Sequence, residues 1–172
     1  MTTPPAELAS AQGHQAGPTA RTGPHLPPIL VVDDDPAARL LVRKFADKLG
    51  LANPLVEATD GASAIARLSQ MVDGGSPALP CLILLDLHMP GRSGLDVLAW
   101  IRAEPVLADC PVVVLSASSE VDELNRAEQL GVSSYLVKPV GFTALADVIR
   151  RLDAPWALLR SGPASATGDG FL

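Results

Sequence analysis

Three consecutive aspartates, Asp33, Asp34 and Asp35, follow directly on the apolar run Ile29-Leu30-Val31-Val32, and a further aspartate, Asp86, closes a second run, "CLILLD". Side-by-side carboxylates repel and raise one another's pKa unless a cation or solvent answers them. A third apolar run, "PVVVLS", ends in the hydroxyl of Ser116, and a fourth, "SSYLVK", ends in the ammonium of Lys138. Clustered carboxylates suit a hard divalent cation such as Mg²⁺, and a nearby lysine and hydroxyl would hold anionic oxygens. This residue set has the chemistry of a phosphoryl site: the metal offsets the charge that keeps a dianion away, and one aspartate acts as nucleophile.

For these residues to meet, the runs that carry them must lie side by side. Short apolar runs alternate with amphipathic stretches, the pattern of a repeated strand-helix unit with a parallel sheet. Strands are expected at 29–33, 54–59, 81–86, 111–116 and 133–138. Three of them are nearly unbroken apolar runs, as required of strands covered on both faces. The first helix is expected to start at Pro36 with Asp35 as its N-cap, to bury Ala38, Leu41, Val42, Phe45 and Leu49, and to stop at Gly50. Further helices are expected near 60–71, 94–103, 119–130 and 142–152. The fourth opens with a capping-box pattern from Ser119 to Asp122 and closes at Gly131. Leu145, Val148, Ile149 and Leu152 give the last helix one apolar stripe. The pattern predicts a doubly wound (βα)5 α/β domain with a five-stranded parallel sheet, and if the strand order is the flavodoxin-like 2-1-3-4-5 these groups converge at the carboxyl ends of the strands, where such sheets bind ligands.

At 172 residues the chain has room for one domain plus tails. Residues 1–27 lack apolar periodicity and are expected to be disordered, 28–153 form the domain, and 154–172 form a C-terminal extension. Aromatics are 3% of a chain that is 48% hydrophobic, so the core must be aliphatic. A net charge of −6 argues against a general nucleic-acid binder. No apolar run reaches membrane-spanning length and no signal-peptide pattern opens the chain, so the cytoplasm is the expected compartment. Cys81 and Cys110 begin neighbouring strands at the end of the sheet opposite the aspartates; two small buried hydrophobes is the favoured reading over a disulfide. The segment "SQMVDGGSPALP" is a longer loop than the fold requires.

The successive segments "VVDDDP", "LLDLHMPGRSGLDVL", "VVVLSAS" and "YLVKPV" resemble, in order and separation, the motifs of the response regulator receiver domain of two-component signalling, over roughly residues 28–152. The resemblance implies that Asp86 is the phosphoacceptor. It makes Asp33 and Asp34 the acidic pair that binds Mg²⁺ (or Mn²⁺) together with Asp86 and the main-chain carbonyl of His88. Ser116, with the adjacent Ala117, and Lys138 then bind the phosphoryl group, Tyr135 is the aromatic switch that turns in from solvent, and Lys138-Pro139 is a cis bond. The implied partner is a sensor histidine kinase. A narrower likeness, over "SASSEVDELNRAEQLGVSSYLVKPVGFTAL" and a following tryptophan, is to single-domain regulators paired with phytochrome-type kinases, which implies homodimers through helices four and five or through the extension.

Taken singly the residues are weak. Lys-Pro after a strand is ordinarily a turn, Ser116 a strand-end hydroxyl, and Tyr135 core or rim. The His88 imidazole is expected at the pocket mouth, where it could touch the water that attacks the phospho-aspartate. Gly91 and Gly94 are expected to supply backbone freedom in "MPGRSG". A haloacid-dehalogenase-type phosphatase needs a second aspartate where His88 stands. A docking module without phosphorylation would not need Asp33, Asp34, Asp86, Ser116 and Lys138 together. No output domain is expected after helix five, and Trp156, Leu158 and Leu159 are expected either to fold back on the domain or to make a dimer or kinase contact.

Overall fold

The computed structural model describes residues 26–74 and 79–152. The five strands are β1 (Ile29–Val32), β2 (Leu55–Ala58), β3 (Leu82–Leu85), β4 (Val112–Ser116) and β5 (Ser134–Val137). They alternate with α1 (Pro36–Leu49), α2 (Gly61–Asp73), α3 (Gly94–Ala103), α4 (Val121–Gln129) and α5 (Phe142–Arg151). All pairings are parallel and the strand order is β2-β1-β3-β4-β5. The order reverses between β1 and β3, so a crevice opens at the carboxyl ends of those two strands.

Strand residues alternate between two cores. Leu30, Val32, Ile83, Leu85 and Val112 pack with Leu68, Val97, Leu98 and Ile101 of α2 and α3. Ile29, Val31, Leu82, Leu84, Val113 and Leu115 pack with Val42 of α1 and with Leu145 and Ile149 of α5. Burial on both faces explains why β1, β3 and β4 carry no polar alternation. The edge strands β2 and β5 are mostly half-buried.

α1 begins as its sequence dictates. Asp35 accepts a hydrogen bond from Ala37 N at 2.8 Å, Pro36 occupies the first helical position, and Gly50 closes the helix at φ 68°. Its buried stripe runs through Val42 and Ala46, whereas Leu41 remains 39% exposed at the rim of a cleft between α1 and α5. Asp35→Ala is expected to lower stability by about 1 kcal/mol while leaving phosphoryl acceptance intact, because its side chain caps the helix. Chemical denaturation and acetyl phosphate labelling of one preparation check both halves.

The expected capping box from Ser119 to Asp122 does not form. α4 starts one residue later, with Glu120 at the cap and no side-chain cap bond. Glu123, which then stands three residues past the cap, is drawn instead to His88 and Tyr135. Capping boxes form where none was expected, from Asp60 to Ser63 on α2 and from Ser93 to Asp96 on α3. Both cysteines are free thiols, and burial pushes Cys110 up to about 12, which leaves it unreactive. The tail at 1–25, loop residues 75–78 and the extension with Trp156, Leu158 and Leu159 lie outside the described residues.

Candidate functional site

The polar residues sit at or one position beyond the strand ends, yet the sheet ladder still holds their backbones. Asp33 N donates to Ala58 O at 3.1 Å, Asp86 N to Val32 O at 2.8 Å, and Lys138 N to Ser116 O at 2.7 Å. Each is thereby fixed by the neighbouring strand. Arg39, one turn into α1, donates from Nη1 to Asp33 O at 2.6 Å and from Nε to Glu57 at 3.1 Å. Arg43 also pairs with Glu57, whose carboxyl is held low by the Arg43 bond. This brace on the acidic turn was not read from the sequence: Arg39 and Glu57 are 18 residues apart, and only strand pairing brings them together.

Oxygens of Asp33, Asp34 and Asp86 lie within 4.8 Å of one another. Asp33 and Asp86 are buried and Asp34 is exposed. Lys138 Nζ donates to Asp33 Oδ2 at 2.7 Å and to Asp86 Oδ2 at 2.8 Å, so one ammonium bridges both buried carboxylates. Their other oxygens accept main-chain bonds, Asp33 Oδ1 from Asp35 N and Asp86 Oδ1 from His88 N, each at 3.0 Å. Burial raises the Asp33 pKa, against the lowering pull of Lys138 and the Asp35 amide. For Lys138, burial works to lower the pKa, but the bonds to Asp33 and Asp86 prevail and raise it. The donor set is carboxylate oxygen throughout, it is half open to solvent at Asp34, and it carries more negative charge than Lys138 alone neutralises. Those properties fit a hard divalent cation of the Mg²⁺ or Mn²⁺ type.

Ser116 is fully buried, and its Oγ accepts from Ser118 N at 3.2 Å. Ala117 beside it is exposed. The register pairs Leu85 with Val114 and Ser116 with Val137, which sets Ser116 on the strand between those delivering Asp86 and Lys138. The Lys138-Pro139 peptide bond is cis, as the resemblance implied. Tyr135 does not stand free in solvent: its hydroxyl lies 3.0 Å from Ser118 O and 3.2 Å from Glu123 Oε2. The His88 imidazole is half-exposed at the mouth of the site, with both ring nitrogens engaged, Nδ1 by Ser116 and Nε2 by Glu123. Glu123 was missed as a site residue because its pattern matched an ordinary helix first turn.

The two glycines of the loop after β3 serve different ends. Gly91 has φ +81°, in the left-handed region. Gly94 does not; it is needed because a Cβ there would stand 2.2 Å from Asp86 O and 2.6 Å from Leu87 Cα. Freedom at φ is therefore the wrong account of Gly94, which is required by close approach. Gly94→Ala is expected to cost about 3 kcal/mol, the upper end for overpacking, and to displace the Asp86 backbone. A fall in the melting temperature accompanied by weaker beryllofluoride binding checks it.

Fold and site together define a doubly wound domain with an acidic, lysine-bridged cluster at its topological switch point. The response regulator receiver domain profile matches residues 29–150, and the chain belongs to that family. Its members act in two-component signalling with histidine kinases. The chain is 34% identical over 128 residues to response regulator Rcp1 of Synechocystis sp., covering 74% of this chain and 87% of Rcp1. It is 33% identical to chemotaxis protein CheY of Pseudomonas aeruginosa, covering 72% and 94% of the two chains. Among solved structures it resembles the bacteriophytochrome response regulator AtBRR, with 37% identity, TM-score 0.68, and 80% and 99% of the chains covered. The Mn(2+)-bound form of Rcp1 matches with 35% identity and TM-score 0.61, over 70% of this chain and 87% of that one.

Proposed function

We propose that Asp86 accepts a phosphoryl group from the phosphohistidine of a partner kinase and that the modified domain signals through protein contacts. The observation that carries this reading is the Lys138 ammonium bridging Asp33 and Asp86 inside a cluster that fits a divalent cation. Asp33, Asp34, Asp86 and the main-chain carbonyl of His88 would hold Mg²⁺ or Mn²⁺. Bound there, the cation supplies positive charge to the incoming phosphoryl oxygens. As the phosphorus–nitrogen bond of the donor breaks, an Asp86 carboxylate oxygen forms the new phosphorus–oxygen bond, and the electron pair leaves with the imidazole. Lys138, already 2.8 Å from Asp86, follows the negative charge onto the phosphoryl oxygens. Ser116 and the main chain at Ala117 take the remaining oxygens.

The likeness to the bacteriophytochrome response regulator AtBRR supports a kinase of the phytochrome type as partner. Exposed Val121 on α4 and Val137 on β5 support self-association through the α4–α5 side. The extension carrying Trp156, Leu158 and Leu159 is the second candidate contact. Among the described residues no helix is long and apolar enough to cross a membrane. The likeness to CheY supports the cytoplasm as the place of action.

Incubation with acetyl phosphate, with and without Mg²⁺, tests the central claim. One phosphoryl group on Asp86, formed in the presence of Mg²⁺ and suppressed by a chelator, is expected. Absence of modification together with absence of beryllofluoride binding would establish a docking module instead.

A further inference from the structure

Ser116, His88, Glu123, Tyr135 and Ser118 form a closed ring of polar contacts. His88 Nδ1 is 3.1 Å from Ser116 Oγ, and His88 Nε2 is 3.2 Å from Glu123 Oε1. Glu123 Oε2 is 3.2 Å from the Tyr135 hydroxyl, which also lies 3.0 Å from Ser118 O. Ser118 N donates back to Ser116 Oγ at 3.2 Å. The ring reaches from the strand beside Asp86 to the first turn of α4 and on to β5.

The donors and acceptors of the ring admit a consistent assignment. Glu123 as a carboxylate only accepts, so His88 Nε2 donates to it, and the single Tyr135 proton is shared between Glu123 Oε2 and Ser118 O. A neutral imidazole with its proton on Nε2 must accept at Nδ1, and the group facing Nδ1 is the Ser116 hydroxyl. With His88 in that tautomer the single Ser116 proton goes to Nδ1, while Ser116 Oγ accepts from Ser118 N. A phosphoryl oxygen on Asp86 needs that same proton, and one hydroxyl cannot give it to both.

We propose that His88 is a positioning residue that competes with the phosphoryl group for the Ser116 proton and, through Glu123, passes the outcome to Tyr135. This rests on the reading of Asp86 as phosphoacceptor. When Ser116 turns to the phosphoryl group, Nδ1 loses its donor and the imidazole is no longer anchored on the site side. Its hold on Glu123 then weakens, and with it the carboxylate half of the Tyr135 attachment. Phosphoryl occupancy is thus converted into a change at β5 by a relay of side chains, in addition to any movement of the backbone at Ser118. The exposures of the two side chains fit such a relay, since His88 is 53% exposed and has room to turn, whereas Glu123 is 15% exposed and held by both neighbours.

Tyr135 is the one tyrosine in the chain, so 3-fluorotyrosine labelling of the full-length protein gives a single resonance that reports on it alone. Beryllofluoride with Mg²⁺ is the probe of phosphoryl occupancy. In the wild-type protein the resonance is expected to move on titration. In His88→Ala, beryllofluoride should bind about fivefold more tightly, the effect of removing one ordinary competing hydrogen bond. The Tyr135 shift on binding should fall below about half its wild-type size, as expected when one of two routes of similar strength is cut. Glu123→Ala should reduce that shift as far, and the double variant no further than either single one. A purely structural role would move the melting temperature without these changes. Wild-type affinity or a wild-type shift in His88→Ala would overturn the relay while leaving Asp86 as acceptor. Failure of the wild-type protein to bind beryllofluoride at saturating Mg²⁺ would overturn both.

Discussion

Asp86→Asn is expected to take up no phosphoryl group from acetyl phosphate under conditions that modify the wild-type protein, a loss in rate of about a thousandfold or more. The amide has no anionic oxygen to attack phosphorus, and it replaces one of the three carboxylates that would hold the cation. The carbonyl oxygen of Asn can still accept from His88 N as Asp86 Oδ1 does, but the amide nitrogen then faces Lys138 Nζ, so Lys138 keeps Asp33 as its partner and loses Asp86. For folding, relief of the like charge beside Asp33 offsets part of the loss of the Lys138–Asp86 pair, and Lys138 retains Asp33. Intact-protein mass measurement and a melting curve on one sample separate loss of the acceptor from loss of the fold. A phosphoryl group recovered on the variant would mean that another residue is the acceptor.

Lys138→Met is expected to have the second largest effect and to act on function and stability together. The Lys138 side chain is 22% exposed and its partners Asp33 and Asp86 are 4% and 6% exposed, so the substitution leaves two carboxylates buried without their cation. Stripping one partner from a buried ion pair costs about 3–5 kcal/mol, and the opening at Lys138 places this case near the lower end. The sign of the pH dependence follows from Asp33. Its folded pKa lies above the unfolded value because burial disfavours the charged form. Such a group contributes stability that is present below its unfolded pKa and lost as pH rises through the folded one. Without Lys138 the folded value rises further. The variant should therefore be weakest near neutrality and recover relative to wild type as pH falls toward the carboxylate range. Urea midpoints from about pH 4 to 8, a span that brackets the carboxylate range, check this; a deficit that grows on acidification would contradict it. Added Mg²⁺ should restore part of the stability near neutral pH by supplying the missing positive charge.

Much of this was legible in the residues. The strands follow from unbroken aliphatic runs, which few structures other than a doubly covered parallel sheet can bury. Asp35 was separable from Asp33 and Asp34 because a proline after it marks a helix start, and the hydrogen bond to Ala37 N bears that out. What failed did so where two uses compete for one side chain. The pattern Ser119-to-Asp122 is a sound capping box by itself, but Glu123 has better partners on β5 and in the loop after β3, and the helix begins later. Leu41 fits the helical period of α1 yet stays at the rim of the cleft, since the sheet beneath is already filled by Val42 and Ala46. Tyr135 was expected to start in solvent, and its hydroxyl is instead tied to Ser118 and Glu123.

By itself the order of residues along the chain determined the strands and helices, which depend on local periodicity, and its likeness to a known family supplied the strand order and the group of residues that must converge. Only the tertiary structure decided how the members of that group are paired. Lys138 bridges Asp33 and Asp86 across 105 and 52 residues of chain, and His88 reaches Ser116 across 28. The energy of such contacts depends on distance, burial and the count of donors and acceptors at one point in space, and no period or motif records that count.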